Sequence, residues 1–502
     1  MLLNAELLLQ YQRCKRRPYL DTYGDKRKRD TPSELLLKLN QERLTHQRTV
    51  LEQLNYQQPK YSPRDWRGGA MATMELMQQG VDCIYQGVLL ATYRESYTLL
   101  SCPDLLIKQP GKSSFGDWIY LPANIELGKR PKQEYQVVAA FHALVLAAVQ
   151  GVIPNTAWLL LRGNMGTYRP PHAVDLEKWI PQTQSILKEF IDSLEAPEAP
   201  EVFISRQRCN LCRWYSQCYA VAQSQRHLSL LPGVTPTRYT QLQALDVTTV
   251  ESLANTSPCE LENLPGFDGE VAPKLIVQAQ AVLEKRPLIL DYPANPVGYK
   301  SRLISKNTDI STYNFAPVEL YFDIEAQPEL NLDYLLGVLV VDRQTNRENF
   351  YSFLAETPEE EAFIWQEFLD LVWQYPQAPI FHFCSYEVDT VKRLAKLYRT
   401  PRSHIEPLLT RFVDIYEHVT QTVALPVESY ALKAIARWLG FEWRDPEASG
   451  AKCIYWYDEW LNTGDRALLD IIQRYNEDDC RATRNIKDWL VNFLQAECRT
   501  LH

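Results

Sequence analysis

The sequence predicts a multidomain α/β protein. At 502 residues the chain exceeds what one ordinary hydrophobic core supports, so two or three domains are expected. Short strand-like runs alternate with helical stretches in its last third. Two composition breaks divide what precedes. One is the Gln/Ser-containing Gln223-Ser224-Gln225-Arg226-His227; the other, Tyr292 to Phe315, is rich in Pro, Asn, Ser and Thr and has no sustained helical period. The expected division is 1–223, a helical connector over 224–291, a linker over 292–316, and a final domain over 317–502.

Hydrophobic content of 45% and charged content of 23% are those of a soluble globular protein. The net charge of −9 argues against a surface coated in basic residues. It leaves nucleic acid open as a substrate, since clustered carboxylates that hold a divalent metal shift the balance to acid. The first residues, Met1-Leu2-Leu3-Asn4-Ala5-Glu6, lack the order of a signal peptide. Val137 to Ile153, interrupted by His142 and Gln150, reads as a buried helix and not as a membrane span. Eleven cysteines without that signal point to a reducing compartment, so a cytoplasmic protein without a membrane role is expected.

Taken in order, the N-terminal region opens with Arg13, Lys15, Arg16, Arg17, Lys26, Arg27, Lys28 and Arg29, interleaved with Tyr11, Tyr19 and Tyr23. Cations for phosphates and rings for bases make a nucleic-acid-binding composition, and Arg13, Lys15, Arg16 and Arg17 are the candidates; a solvated basic surface is the plainer alternative. In the connector, Leu231-Pro232-Gly233-Val234 leads to a helix around Tyr239–Leu245 and then to Val247-Thr248-Thr249-Val250-Glu251-Ser252-Leu253-Ala254. This resembles a helix-hairpin-helix module, whose backbone amides contact phosphates; a helical spacer accounts for it equally.

In the final domain Val318-Glu319-Leu320-Tyr321-Phe322 reads as a strand ending in Asp323-Ile324-Glu325. Residues two apart share a strand face, so Asp323 and Glu325 are paired carboxylates able to grip a divalent cation. Leu335–Asp342 continues an antiparallel meander, Pro358–Trp373 is helical, and Ala378–Phe383 is another strand before a helix containing Glu387. On a last helix Tyr475 and Asp479 are four apart and share a face, whereas Asp478 faces away. Asp414 reads equally as a further acid or as a helix cap.

D-x-E, then His382 ahead of Glu387, then Y-x-x-x-D, in this order, resembles the proofreading-type DEDD exonucleases of ribonuclease-H-like fold with a mixed sheet. The resemblance implies a two-metal 3′→5′ exonuclease using Mg²⁺ or Mn²⁺. In it Asp323 bridges the ions, Glu325 and Asp479 complete the shell, Glu387 supports it, and Tyr475 orients the attacking water. Glu387 stands where that group usually carries Asp; Asp389 fits the spacing less well. Tyr430-Ala431-Leu432-Lys433-Ala434-Ile435-Ala436, Leu439-Gly440-Phe441 and the run from Tyr475 to Thr483 extend the likeness to RecB-like putative nucleases with such a C-terminal domain.

That family implies a restriction-endonuclease-like N-terminal α/β domain. Cys14, distant in sequence, with Cys209-x-x-Cys212 and Cys218, resembles the ligand set of its iron–sulfur members, which implies a [4Fe–4S] cluster; spacing alone leaves structural zinc open. Such a clip would close a long loop. Cys83, Cys102, Cys259, Cys384, Cys453, Cys480 and Cys498 show no spacing and read as core thiols. The family's D…(D/E)-x-K…Q site falls on Asp104, Asn124, Glu126 and Gln136, in a strand expected after Gly116–Tyr120. Asn124 replaces an acid and Glu126 the lysine, so a degenerate site retained for binding or scaffolding is expected. A rescue by Glu126 with Lys129 has the wrong spacing for a strand. Nucleic acid, DNA or RNA, is the implied partner, and protein partners are not specified by the sequence.

Overall fold

The computed structural model describes residues 1–163, 170–290 and 316–500, the side chains of residues 34, 207 and 498–500 excepted. The chain divides into two compact units, Met1–Val221 and Ala222–His502. Apart from residue 316, the linker expected over 292–316 lies outside the described residues, as does the side chain of Cys498.

The first unit contains β1 (Leu2–Asn4), β2 (Cys83–Tyr85), β3 (Leu89–Tyr93), β4 (Tyr97–Ser101), β5 (Leu105–Ser113), β6 (Gly116–Glu126), β7 (Ala157–Leu161) and β8 (His172–Val174). They build a three-stranded sheet ordered β1-β4-β3 and a five-stranded sheet ordered β2-β5-β6-β7-β8. β6 and β7 are parallel, and a parallel pair needs a crossover. Helix Gln133–Gln150 supplies it, buried along most of its length.

The two polar residues that kept that segment from reading as a membrane span are satisfied inside the core. His142 Nδ1 shares a hydrogen bond with Ser101 Oγ at 2.7 Å. Gln150 accepts from the Tyr120 amide (2.9 Å) and donates to the carbonyls of Tyr120 and Val152. Left unpaired, each would cost about 1–3 kcal/mol. Gly151 then ends the helix at φ 77°, a conformation glycine adopts without steric cost. Among the described residues no helix is long and apolar enough to cross a membrane.

The second unit begins with helices Pro236–Ala244, Val250–Ala254, Pro258–Leu261 and Val271–Glu284. The first helix and the Thr249-capped second are the two that the sequence suggested. A second Leu-Pro-Gly turn, Leu264-Pro265-Gly266, went unread. Gly233 and Gly266 share φ 87°, and Arg238 donates to both of their carbonyls, at 2.7 and 2.6 Å.

β9 (Leu288–Ile289) follows, then β10 (Val318–Gln327), β11 (Leu332–Asp342), β12 (Arg347–Leu354), β13 (Ile380–His382), β14 (Phe412–Asp414) and β15 (Val423–Ala424). Five of these form a mixed sheet ordered β12-β11-β10-β13-β14. β10–β11–β12 are antiparallel, while β10–β13 and β13–β14 are parallel. β9 pairs with β15, and Gln278 of the connector's last helix donates to the Leu425 carbonyl at 2.6 Å. The connector is thus bonded into this unit.

Candidate metal centre

Central strand β10 does not end with Asp323-Ile324-Glu325; it runs on to Gln327, because its neighbour β11 continues the ladder beyond the acids. Asp323 is paired with Gly337 and Glu325 with Leu335, and the register shifts between Glu325 and Ala326. Both carboxylates therefore project from one face in mid-sheet. Over that face lies helix Arg466–Thr500, which presents Tyr475, Asn476, Asp479 and Cys480 to it. One carboxylate oxygen each from Asp323, Glu325 and Asp479 lies within 4.8 Å of the others.

The surroundings fix each acid. Asn476 Nδ2 donates to Asp323 Oδ2 at 2.7 Å. Trp443 Nε1 donates to Asp479 Oδ1 at 2.7 Å, and the Tyr475 hydroxyl also hydrogen-bonds Asp479. Asp478, one residue away, is bound by the Arg444 amide (2.9 Å) and guanidinium (2.8 Å). It is held off the cluster, as its helix position requires.

Burial raises all three acids, with the charge of Asp479 adding to Asp323 and Glu325 and that of Asp478 to Asp479: Asp323 and Glu325 go well above the carboxylate range, Asp479 to about 7. Hydrogen bonds from Asn476, Trp443 and Tyr475 oppose this, as does the charge of Lys433 on Glu325 and Asp479. Such a cluster gains most from a cation, and its hard oxygen donors suit Mg²⁺ or Mn²⁺.

Glu387 lies in the first turn of helix Tyr386–Leu397, is buried, and acts electrostatically on Asp323. It is outside the three-carboxylate group. His382 Nδ1, 3.5 Å from it, gives its proton to the Cys384 carbonyl at 2.6 Å. Glu387 Oε2 is buried with His382 at its side favouring the ionised form, and Asn476 Oδ1 is buried without a hydrogen bond among the described residues. A buried carboxylate oxygen fits an ion or its water shell. Asp389 is exposed and 4.0 Å from Lys392, and so belongs to solvent. Asp414 caps helix Ile415–Thr422 and accepts from the Cys384 amide at 3.0 Å, the cap alternative of the sequence.

Sequence reasoning missed Asn476, Trp443 and Lys433 as site residues. It also misjudged several cysteines. Cys102, just past the end of β4, and Cys259, in the short helix Pro258–Leu261, are exposed and do not enter a core. Cys453 and Cys480 are buried, and their thiols are pushed up by burial and by the site's carboxylates.

In the first unit Cys14, Cys209, Cys212 and Cys218 line one cavity together with Arg16 and Arg17. Cys14 caps helix Ala5–Arg13, and Arg208 donates to the Arg13 carbonyl at 3.1 Å, which joins the two segments. The Ser205 amide donates to Cys209 Sγ at 3.3 Å. Burial pushes the Cys209, Cys212 and Cys218 thiols up, and the charges of Arg17 on Cys212 and Arg16 on Cys218 oppose this. Four soft donors, amide bonds to sulfur and adjacent cations fit a thiolate-bound metal or cluster.

The N-terminal basic residues are largely engaged within their own unit. Arg13 pairs with Glu134 (3.3 Å), Lys15 with Glu189 (3.6 Å) and Arg17 with Asp21 (3.6 Å), while Arg16 donates to the Pro200 carbonyl (2.5 Å).

Asn124 and Glu126 lie at the end of β6 itself, not in a separate later strand, because β7 takes up the pairing of the run from Ala123 to Glu126 where the ladder with β5 stops. Asp104 accepts from the Ile125 amide (2.7 Å) and from Gln47 (2.6 Å). Burial pushes Asp104 up to about 6 and, with Asp104's charge, Glu126 up to about 8. Gln136 donates to the Pro131 carbonyl at 3.2 Å, and Asn124 Oδ1 is buried without a partner among the described residues.

A mixed sheet carrying carboxylates on its central strand, crossed by a helix bearing a further acid, defines a nuclease-type fold. Residues 320–491 match the family model RNase_H_2 of the RNase H superfamily, so the second unit contains a ribonuclease-H-like domain. Members of that superfamily generally hydrolyse phosphodiester bonds, and nucleic acid is the substrate class the domain implies. A search of curated proteins found no match to the chain.

Proposed function

We propose that the protein is a metal-dependent 3′→5′ exonuclease acting on DNA or RNA through the carboxylates of the second unit. The observation that carries this reading is the convergence of Asp323, Glu325 and Asp479, with Tyr475 hydrogen-bonded to Asp479. Asp323, Glu325 and Asp479 would hold the metal, with Glu387 toward a second ion beside Asp323. Bound divalent ions activate water and neutralise charge on the phosphate and leaving oxygen. The chain's own groups do the positioning. Asn476 holds Asp323, Trp443 holds Asp479, and the Tyr475 hydroxyl would orient the attacking water. Polarity and polymer follow from the resemblance to DEDD exonucleases.

In the first unit, the likeness to RecB-type nucleases and the cavity at Cys14, Cys209, Cys212 and Cys218 support a [4Fe–4S] cluster, with zinc as the alternative metal. Asp104, Asn124, Glu126 and Gln136 form a degenerate site in a domain that holds the strand, in a cytoplasmic enzyme. One observation favours a second reading, a non-hydrolytic nucleic-acid adaptor: Glu387 is longer than the usual Asp and stands outside the three-carboxylate group.

The deciding experiment incubates 5′-labelled single-stranded DNA and RNA with Mn²⁺ and wild type, Asp323→Asn or Asp479→Asn. A ladder shortening from the 3′ end in wild type alone is expected. Strands bound and left intact by wild type would establish the adaptor instead. Cleavage that survives both substitutions would move the activity to the first unit, through Glu126 with Lys129.

A further inference from the structure

Lys433 is the second residue of helix Leu432–Trp438 and projects toward the carboxylates. Its ammonium lies 4.7 Å from the Tyr475 ring centroid and 5.2 Å from that of Trp443. Those same two residues hydrogen-bond Asp479. One of its protons goes to the Ala448 carbonyl. The charges of Asp479 and Glu325 both act on it. It is a partly exposed cation held between two rings, beside an anionic cluster, with donors to spare.

Charge balance says what those donors are for. Asp323, Glu325, Asp479 and Glu387 bring four negative charges, which two divalent ions offset. A phosphodiester then adds one negative charge, and attack by hydroxide adds another. Fixed donors aimed at developing charge are the largest single contribution in many active sites.

We propose that Lys433 is a substrate-contacting residue, its ammonium taking a non-bridging oxygen of the scissile phosphate on the Glu325–Asp479 side of the cluster. This rests on the nuclease reading above. The cation–π contacts keep the ammonium from collapsing onto a carboxylate, which would cancel the charge the phosphate needs.

The test uses the full chain, with Lys433→Gln and Lys433→Arg beside wild type, and thermal melting to verify folding. Calorimetry measures Mn²⁺ affinity, then binding of thymidine 5′-monophosphate in the presence of Mn²⁺. Lys433→Gln is expected to weaken the nucleotide by about 10- to 100-fold, as loss of a charge-assisted hydrogen bond does. It should leave Mn²⁺ binding equal or tighter, since a repelling cation is gone. Lys433→Arg should restore most nucleotide binding, and kcat of exonuclease digestion should fall about 10²-fold in Lys433→Gln.

Unchanged nucleotide binding in Lys433→Gln overturns the proposal, as does a wild type that binds Mn²⁺ but no nucleotide. Parallel loss of Mn²⁺ and nucleotide in both variants assigns Lys433 a structural role and also overturns it. A wild type that binds the nucleotide through Lys433 yet cuts no strand removes the hydrolytic reading and upholds the phosphate contact.

Discussion

A methyl group at position 337 would stand 1.6 Å from Asn476 Oδ1. Gly337 is the residue opposite Asp323 in the sheet, and its missing side chain is the room Asn476 occupies while it holds that acid. Gly337→Ala and Asn476→Ala should therefore converge on one defect, Mn²⁺ affinity about 10- to 100-fold weaker, read by titration calorimetry. Gly337→Ala should also lower thermal stability more than Asn476→Ala does, because only the former creates a collision. In the first unit, Glu126 is raised from 4.5 to about 8. The folded chain thus binds more protons than the unfolded one between those values. Its stabilisation is full below about 4.5 and is lost as pH rises through about 8. Glu126→Gln should raise the melting temperature at pH 9 and change it little at pH 4, which calorimetry at the two pH values decides. Of the centre's residues, Asp323 with Glu325 and Tyr475 with Asp479 were legible from spacing as pairs sharing a face, and their roles from the resemblance to DEDD exonucleases. Gly337 and Asn476 were not, since nothing local ties a glycine on one strand to an amide far along the chain.

At the scale of elements, helix Arg466–Thr500 delivers Tyr475, Asn476 and Asp479 together, so its seating on β10 sets the geometry of the centre. Part of that seating is a fully buried ion pair, Lys487 Nζ to Glu319 Oε1 at 2.6 Å. Arg343 extends it, donating to Glu319 (2.6 Å), Tyr321 (2.8 Å) and Asp488 (2.6 Å). Removing one partner of such a pair leaves a buried charge uncompensated, at a cost of about 3–5 kcal/mol. Lys487→Met should show a loss of that order in urea unfolding of the second unit. The helix was legible in its Y-x-x-x-D pattern, and the meander in its apolar runs. Lys487 was not, because its partner is 168 positions away.

At the scale of the molecule, the two candidate centres lie in different compact units, the thiols in Met1–Val221 and the carboxylates in Ala222–His502. Removing one should therefore spare the other. A chain of residues 222–502 is expected to keep Mn²⁺-dependent cleavage that Asp323→Asn abolishes, as gel assays would show. Cys212→Ser in the full protein should lose bound iron, and with it a brown colour absorbing near about 400 nm, while that cleavage persists. Colourless wild type with stoichiometric zinc would replace iron in this account.

The sequence by itself determined which residues share a face. A strand repeats every two residues and a helix about every 3.6, so Asp323 with Glu325, and Tyr475 with Asp479 but not Asp478, follow from spacing alone. A buried helix was equally readable in the apolar run Val137 to Ile153, although it starts at Gln133 and Gly151 ends it at Gln150. Only the tertiary structure decided what meets those faces: Asn476 on Asp323, Trp443 on Asp479, Lys433 between two rings, and Glu387 beside His382. It also turned Arg13, Arg16 and Arg17 toward partners in their own unit and left Cys102 and Cys259 exposed. Spacing governs direction within one element. Contact between elements depends on how the whole chain packs, and local sequence carries little record of that.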